Sequence, residues 1–244
     1  MNLPKSGGIR ISAPVWTTFD PRSAPVLGID AHLDAVPEER LTPAALRHRF
    51  KTPREWLPEH SVETRFSDRA PRLAAVLVPL VMRSEVMLLL TQRADTLSTH
   101  SGQIAFPGGR VDKSDIDAAD TAMREATEEI GLPRCDVEVL GTLPIYETGS
   151  AFIITPVVAL VRPGAPLAPN PGEVADIFEV PLRYLMNPAN HRRHELVLAG
   201  VGRQWLSMPY LDESAHAVGS GTQERFIWGA TAGMLRNLYR FLAA

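Results

Sequence analysis

Three glutamates within five positions are the residues of this chain whose type and spacing best suit chemistry: Glu125, Glu128 and Glu129. On an α-helix, offsets of three and four residues place side chains on one face. Like charges at those offsets cost about 0.2–0.5 kcal/mol per pair. A divalent cation would relieve this repulsion, because Mg²⁺ and Mn²⁺ bind carboxylate oxygen. Unless the glutamates simply form a solvated helix face, the pattern predicts metal-assisted attack of water on a phosphorus centre.

The residues around the glutamates favour a site over a solvated face. Pro107, Gly108 and Gly109 precede them, and paired glycines let the backbone turn sharply and approach a ligand closely. Between positions 108 and 132 the chain has seven acidic and three basic residues, a more negative balance than the −3 of the whole chain. The same predicted helix carries small or apolar residues that would bury its other side, namely Ala122, Met123, Ala126 and Ile130.

The rest of the sequence indicates the elements that must hold this helix. Strands are predicted at 72–82, 85–93, 103–106, 136–148, 151–162 and, as a hairpin, at 194–200 and 203–211. Helices are predicted at 41–50, 117–130, 180–186 and 223–244, the second of them ended by Gly131 and Pro133. The Pro-Gly-Gly segment at 107–109 is predicted as a turn. This order predicts an α/β (α+β) fold with a central mixed sheet between helices.

Composition and length set the remaining limits. Residues 1–40 are rich in Pro, Gly and Ala and are predicted to be an N-terminal extension, either mobile or packed irregularly on a single domain at 41–244. The single cysteine cannot form an intramolecular disulfide. The net charge of −3 offers no general basic field for nucleic acid or an anionic membrane. With no long apolar run, we expect a cytoplasmic protein, and the basic run 191–195 is expected to face solvent.

The segment 109–132 resembles the Nudix box, a motif of hydrolases that cleave nucleoside diphosphates linked to another group. Its second half matches at Arg124-Glu125-Ala126, Glu128-Glu129 and Gly131-Leu132. Its first half departs from the pattern, with Asp115 where a Glu is usual and one additional residue before Arg124. The resemblance implies the Nudix α/β/α sandwich and a requirement for Mg²⁺ or Mn²⁺.

The resemblance also implies roles for individual residues. Glu125 and Glu129 would be the main metal ligands, with Glu128 as a third ligand or a partner through water. Arg124 would orient a metal-binding carboxylate. The box does not fix the general base, so Glu128 and Glu173 both remain candidates, and Glu173 is also a candidate additional ligand.

A longer segment, 88–132, resembles the coenzyme A pyrophosphatase branch of this family, particularly at Leu89-Leu90-Thr91, Arg93 and 104–109. This resemblance implies hydrolysis of coenzyme A or its derivatives to adenosine 3′,5′-bisphosphate and a 4′-phosphopantetheine species. Arg93, His100 and Arg110 would then bind substrate phosphates. Two alternatives stay open: another nucleoside diphosphate such as ADP-ribose or NADH, and an inactive Nudix domain that only binds its ligand. The sequence also leaves open whether the protein is a monomer or a homodimer.

Overall fold

The computed structural model describes residues 20–65, 67, 69–95, 102–198, 201–213 and 222–244. Within these ranges there are four α-helices: α1 Pro43–Lys51, α2 Ala118–Ile130, α3 Leu182–Leu185 and α4 Gly229–Ala243. The strands are β1 Val26–Ile29, β2 Arg72–Met82, β3 Val86–Arg93, β4 Ile104–Ala105, β5 Gly108–Arg110, β6 Val137–Thr142, β7 Tyr146–Glu147, β8 Phe152–Val161, β9 Val174–Pro181, β10 Arg192–Leu198, β11 Val201–Asp212 and β12 Gln223–Trp228. None of the described helices has both the length and the apolar character needed to cross a membrane.

The larger sheet has eight strands and is mixed. Its main path runs β4-β3-β2-β8-β6, with β9 beside β3, β5 beside β2 and β7 beside β8. The long strands β2 and β8 are parallel, and their neighbours in this sheet run antiparallel to them. The predicted hairpin of β2 and β3 is confirmed, with Leu80 opposite Leu88.

Side chains alternate between two apolar layers along β2. Ala75 and Leu77 belong to a buried cluster with Ala122, Ala126 and Ile130 of α2, which we call the α2-side core. Val78 and Leu80 point to the opposite face, into a cluster with Leu235 and Leu238 of α4, which we call the α4-side core. Helices therefore cover both faces of the sheet, which confirms the predicted α/β/α arrangement.

A second, antiparallel sheet of four strands, β1-β10-β11-β12, packs on α4 through β11 and β12. Its edge strand β1 comes from the segment predicted as an extension and pairs with β10. The prediction of one helix over 223–244 is wrong, because β12 occupies 223–228 and pairs with β11. Ile227 is buried in β12, and the helix begins at Gly229 with φ 62°.

Two further local predictions need correction. Gly108 and Gly109 form β5 rather than a turn, because Gly108 packs so closely on β2 that a Cβ would lie 2.6 Å from the carbonyl oxygen of Ala75. The basic run 191–195 is not simply solvated. His191 is buried, and Arg193 forms ion pairs with Asp30 at 2.8 Å and with Glu59 at 2.7 Å. These acids come from distant parts of the chain, so a local pattern could not show the pairing.

Candidate active site

Helix α2 is fixed at both ends and along one side. The side chain of Asp117 caps its first turn by accepting a hydrogen bond from the backbone N of Asp120 at 2.8 Å. Gly131 ends it in the left-handed conformation, φ 66°, where a residue without Cβ is favoured. Because the small side chains Ala122 and Ala126 pack on the sheet, the helix cannot rotate freely, and its acidic side chains leave from fixed positions.

Glu129 is the most buried acid of the helix, with its side chain 5% exposed. Its Oε2 accepts a hydrogen bond from the backbone N of Gly108 at 3.1 Å. Nη1 of Arg93 lies 3.9 Å from its Oε1. Burial raises the pKa of Glu129 to about 7, and the negative charges of Glu125 and Glu173 add to the increase, while Gly108 and Arg93 oppose it.

Glu125 lies one helical turn before Glu129 and packs on β5. A Cβ at position 109 would lie 2.4 Å from its carboxyl carbon, so a side chain there would displace this carboxylate. Burial also raises the pKa of Glu125, against the lowering effect of its hydrogen bond with Arg124. We call Glu125 and Glu129 the inner carboxylates.

Arg124 connects the acids of this region. Its Nε and Nη2 donate to the two carboxylate oxygens of Asp115 at 2.9 and 3.0 Å. Its Nη1 donates to Glu125 at 2.9 Å and to Glu128 at 3.0 Å. Its Nη2 also donates to the carbonyl oxygen of Arg110 at 2.9 Å. One guanidinium thus ties the loop after β5 to the helix, and the adjacent carboxylates keep its pKa above the usual range.

Asp115 was not assigned a role by the sequence, although it is the residue that departs from the Nudix pattern. Its side chain is 2% exposed, and it accepts hydrogen bonds from the backbone N of Asp112 and from Oγ1 of Thr121, both at 2.8 Å. Together with Arg124, these donors hold the pKa of Asp115 well below its usual range. Asp115 therefore stays charged and anchors the guanidinium, and the signal for it was its position in the box.

The two candidate bases differ in their surroundings. Glu128 is 56% exposed and pairs with Arg124 one turn away. Glu173 approaches from the loop before β9, close enough for its charge to raise the pKa of both inner carboxylates. That loop is attached to α2, since the backbone N of Asn170 donates to the carbonyl oxygen of Glu129 at 2.8 Å. Glu173 thus lies near both inner carboxylates, whereas Glu128, whose charge also raises the pKa of Glu125, is turned to solvent.

Of the three predicted phosphate-binding residues, one lies beside an inner carboxylate. Arg93 ends β3 beside Glu129, and its buried Nε has no hydrogen-bond partner among the described residues. Arg110 is exposed, with its guanidinium 5.9 Å from the centre of the Phe152 ring. His100 lies outside the described residues.

The inner carboxylates suit a hard divalent cation by their chemistry. Both are removed from water, and their charges repel each other and Glu173, so a cation would lower the free energy of the charged pair. In the described part of the chain, no three His, Cys, Asp or Glu side chains stand at the spacing of a complete ligand set. Two carboxylates completed by water and substrate oxygens match the coordination that Mg²⁺ commonly uses.

The protein has a mixed α/β/α fold, and its inner carboxylates lie on a capped helix that follows the glycine-containing strand β5. A class of phosphate-cleaving hydrolases shares this arrangement. The family model described as the NUDIX domain matches residues 70–199. The "Uncharacterized Nudix hydrolase NudL" of Cronobacter sakazakii is 42% identical over 170 residues, which are 68% of this chain and 81% of that protein. NudL of Escherichia coli K12 is 39% identical over 168 residues, again 68% and 81%. The chain belongs to the Nudix family and is a hydrolase of pyrophosphate bonds.

Solved structures resemble about half of the chain. A Caenorhabditis elegans Ap4A hydrolase in a binary complex is 22% identical, covers 48% of this chain and 85% of its own, and has a TM-score of 0.40. The Nudix hydrolase RenU of M. smegmatis is 25% identical, covers 47% of this chain and 71% of its own, and has a TM-score of 0.38.

Proposed function

We propose that this protein hydrolyses the diphosphate of coenzyme A or its derivatives, giving adenosine 3′,5′-bisphosphate and a 4′-phosphopantetheine species, and that it does so with Mg²⁺ or Mn²⁺. Nudix hydrolases generally need such ions. The observation that carries the proposal is the position of Arg93. This residue belongs to the segment that resembles the coenzyme A branch, and it lies beside Glu129, with a buried Nε that has no hydrogen-bond partner in the described part of the chain. The side chain is 28% exposed, so the accessible part of the guanidinium can bind a substrate phosphate.

Each residue of the site has a role in this proposal. Glu125 and Glu129 hold the cation, which, when bound, lowers the pKa of water and neutralises charge on phosphoryl oxygens. Arg93 and Arg110 bind the anionic substrate. The water oxygen forms a bond to one phosphorus, the bridging P–O bond breaks with its electron pair going to the departing phosphate, and Glu173 takes the proton of the water. We favour Glu173 over Glu128 because Glu128 is exposed and paired with Arg124.

Comparison of initial rates on coenzyme A, ADP-ribose and NADH, each with Mg²⁺ and with Mn²⁺, tests the proposal. We expect kcat/KM for coenzyme A to exceed that for the others by at least about tenfold, a difference of about 1.4 kcal/mol in transition-state binding. Mass spectrometry should identify the two phosphorylated products. Faster cleavage of ADP-ribose or NADH would assign the chain to another Nudix substrate. Binding of coenzyme A without turnover of any substrate would indicate a protein that only binds.

Arg93→Gln should lower kcat/KM for coenzyme A about tenfold to thirtyfold, because a charge-assisted hydrogen bond to phosphate contributes about 1.5–3 kcal/mol. The same change removes a positive charge 3.9 Å from Glu129, so Mn²⁺ should bind at least as tightly as in the wild type. Arg162→Gln is a matched control, since this side chain is 69% exposed and pairs with Asp136. Loss of Mn²⁺ affinity in Arg93→Gln would contradict the substrate-binding role.

A further inference from the structure

An irregularity in β9 lies directly beside the candidate active site. From Met87 opposite Pro181 to Gln92 opposite Asp176, β3 and β9 pair in regular register. The next pair is Arg93 opposite Val174, so Ala175 has no partner on β3 and forms a β-bulge. Bulges bend a strand and redirect the side chains that follow them.

The bulge moves the start of β9 from one core to the other. In a regular strand, Val174 would share a face with Phe178 and Val180. Phe178 and Val180 pack in the α4-side core, whereas Val174 packs in the α2-side core together with Ile177. The chain preceding Val174 is therefore carried toward α2, and this is the segment that contains Glu173. The backbone carbonyl of Glu173 is held there by the N–H of Ala94 at 2.9 Å.

Arg225 of β12 binds both residues of the last regular pair before the bulge, Gln92 and Asp176. Its Nη1 donates to Gln92 at 3.0 Å and its Nη2 donates to Asp176 at 2.5 Å, so one guanidinium spans the last regular pair of the two strands. Its Nε donates to Asp212 of β11 at 3.1 Å, and its Cζ lies 4.3 Å from the centre of the Phe178 ring. Arg225 is 3% exposed, so its guanidinium is shielded from water, and these contacts hold it in one orientation, although the side chain of Asp176 is itself 45% exposed.

We propose that Arg225 is a positioning residue of the active site: by binding Gln92 and Asp176 together, it fixes the bulge that directs Glu173 toward the inner carboxylates. The inference rests on the proposed function through the role of Glu173. It gives the four-stranded sheet a part in catalysis, since that sheet supplies both Arg225 and Asp212. No atom of Arg225 needs to touch the substrate.

A double-mutant cycle between Asp176→Asn and Glu173→Gln tests this proposal, with the Mn²⁺ dissociation constant and kcat as readouts. Asp176 is 45% exposed, so its replacement should leave the fold intact. We expect Asp176→Asn to lower kcat about tenfold and to weaken Mn²⁺ binding about threefold, because small displacements of a catalytic group have effects of this size. In the Glu173→Gln background the same change should have almost no further effect, since the group it positions is already gone.

Glu179→Gln is the matched control, because it lies on the regular part of β9 and also breaks a two-bond pair with an arginine, Arg83, at 2.6 and 2.7 Å. It should change neither readout. An equal effect of Asp176→Asn in both backgrounds, or no effect in the wild type, would overturn the positioning role. Failure of the wild type to cleave coenzyme A would instead overturn the proposed substrate. The Mn²⁺ dissociation constants of the wild type and the three variants of the cycle would then still test the positioning role.

Discussion

Glu129→Gln is expected to lower kcat about 10³-fold and, in the absence of metal, to stabilise the fold. The loss of activity follows from the loss of one of two carboxylates available for the cation. The gain in stability follows from burial, because the folded protein must hold a charged group that is 5% exposed and has a pKa of about 7. Glutamine keeps an oxygen that can accept the hydrogen bond from Gly108 and carries no charge.

The gain in stability should depend on pH with a definite sign. The pKa of Glu129 rises from an ordinary value of 4.5 to about 7 on folding, so the folded state binds the proton more tightly than the unfolded state does. The wild type is therefore penalised above pH 7, less so between pH 7 and 4.5, and hardly at all below that. We expect Glu129→Gln to raise the free energy of unfolding by about 1–2 kcal/mol at pH 8 and to be near neutral at pH 5.

Glu128→Gln is the control for this pair of effects. It removes the same charge from the same helix, but its side chain is 56% exposed and loses little hydration on folding. Urea unfolding of both variants in EDTA at pH 5 and pH 8 gives the comparison. Equal pH dependence in the two variants, or a destabilised Glu129→Gln at pH 8, would show that Glu129 is not the desolvated group that we describe.

Arg124→Lys is expected to lower kcat about 10²-fold and to reduce the temperature of unfolding. A lysine ammonium cannot reproduce the fork that reaches both oxygens of Asp115 while a third nitrogen contacts Glu125. Asp115 would keep its charge with fewer donors, and Glu125 would lose the contact that orients it. Steady-state kinetics should show the lower kcat, and Mn²⁺ titration should show weaker Mn²⁺ binding.

Arg134→Lys provides a comparison for that prediction. Arg134 follows α2 and pairs with Asp120 of that helix at 2.6 Å. Its side chain is 47% exposed and contacts neither inner carboxylate. We expect its replacement to leave kcat and Mn²⁺ affinity within about twofold of the wild type, as is common for an exposed ion pair. Similar kinetics for Arg124→Lys and Arg134→Lys would mean that the network around Arg124 does not position the catalytic groups.

The sequence predicted those parts of the fold that depend on local patterns. Helix α2 has its cap at Asp117 and its stop at Gly131, and the β2–β3 hairpin follows from two β-branched and leucine-rich runs around a short polar connection. The start of α4 could not be predicted, because Phe226 and Ile227 continue the apolar composition of the helix without interruption. Only pairing with β11 makes that segment a strand.

The local features of the site were also predictable from the sequence, whereas its long-range contacts were not. Helical spacing placed the three glutamates on one face. It could not show that Glu129 is buried against Gly108 of β5 while Glu128 is exposed to water. The contact between Glu125 and Gly109 and the attachment of the Asn170 loop to α2 depend on strand pairing across long stretches of sequence. The position of Arg225 depends on the four-stranded sheet, for which no short motif exists.

Glu125 and Glu129 together are expected to bind a divalent cation at the site of hydrolysis. Crystals grown with Mn²⁺ and measured near the manganese absorption edge would locate that cation. We predict an anomalous peak within about 2.0–2.3 Å of carboxylate oxygens from both residues, the range expected for small divalent cations. A fully occupied Mn²⁺ ion bound elsewhere, with Glu129 still bonded to Gly108 and Glu125 to Arg124, would contradict it.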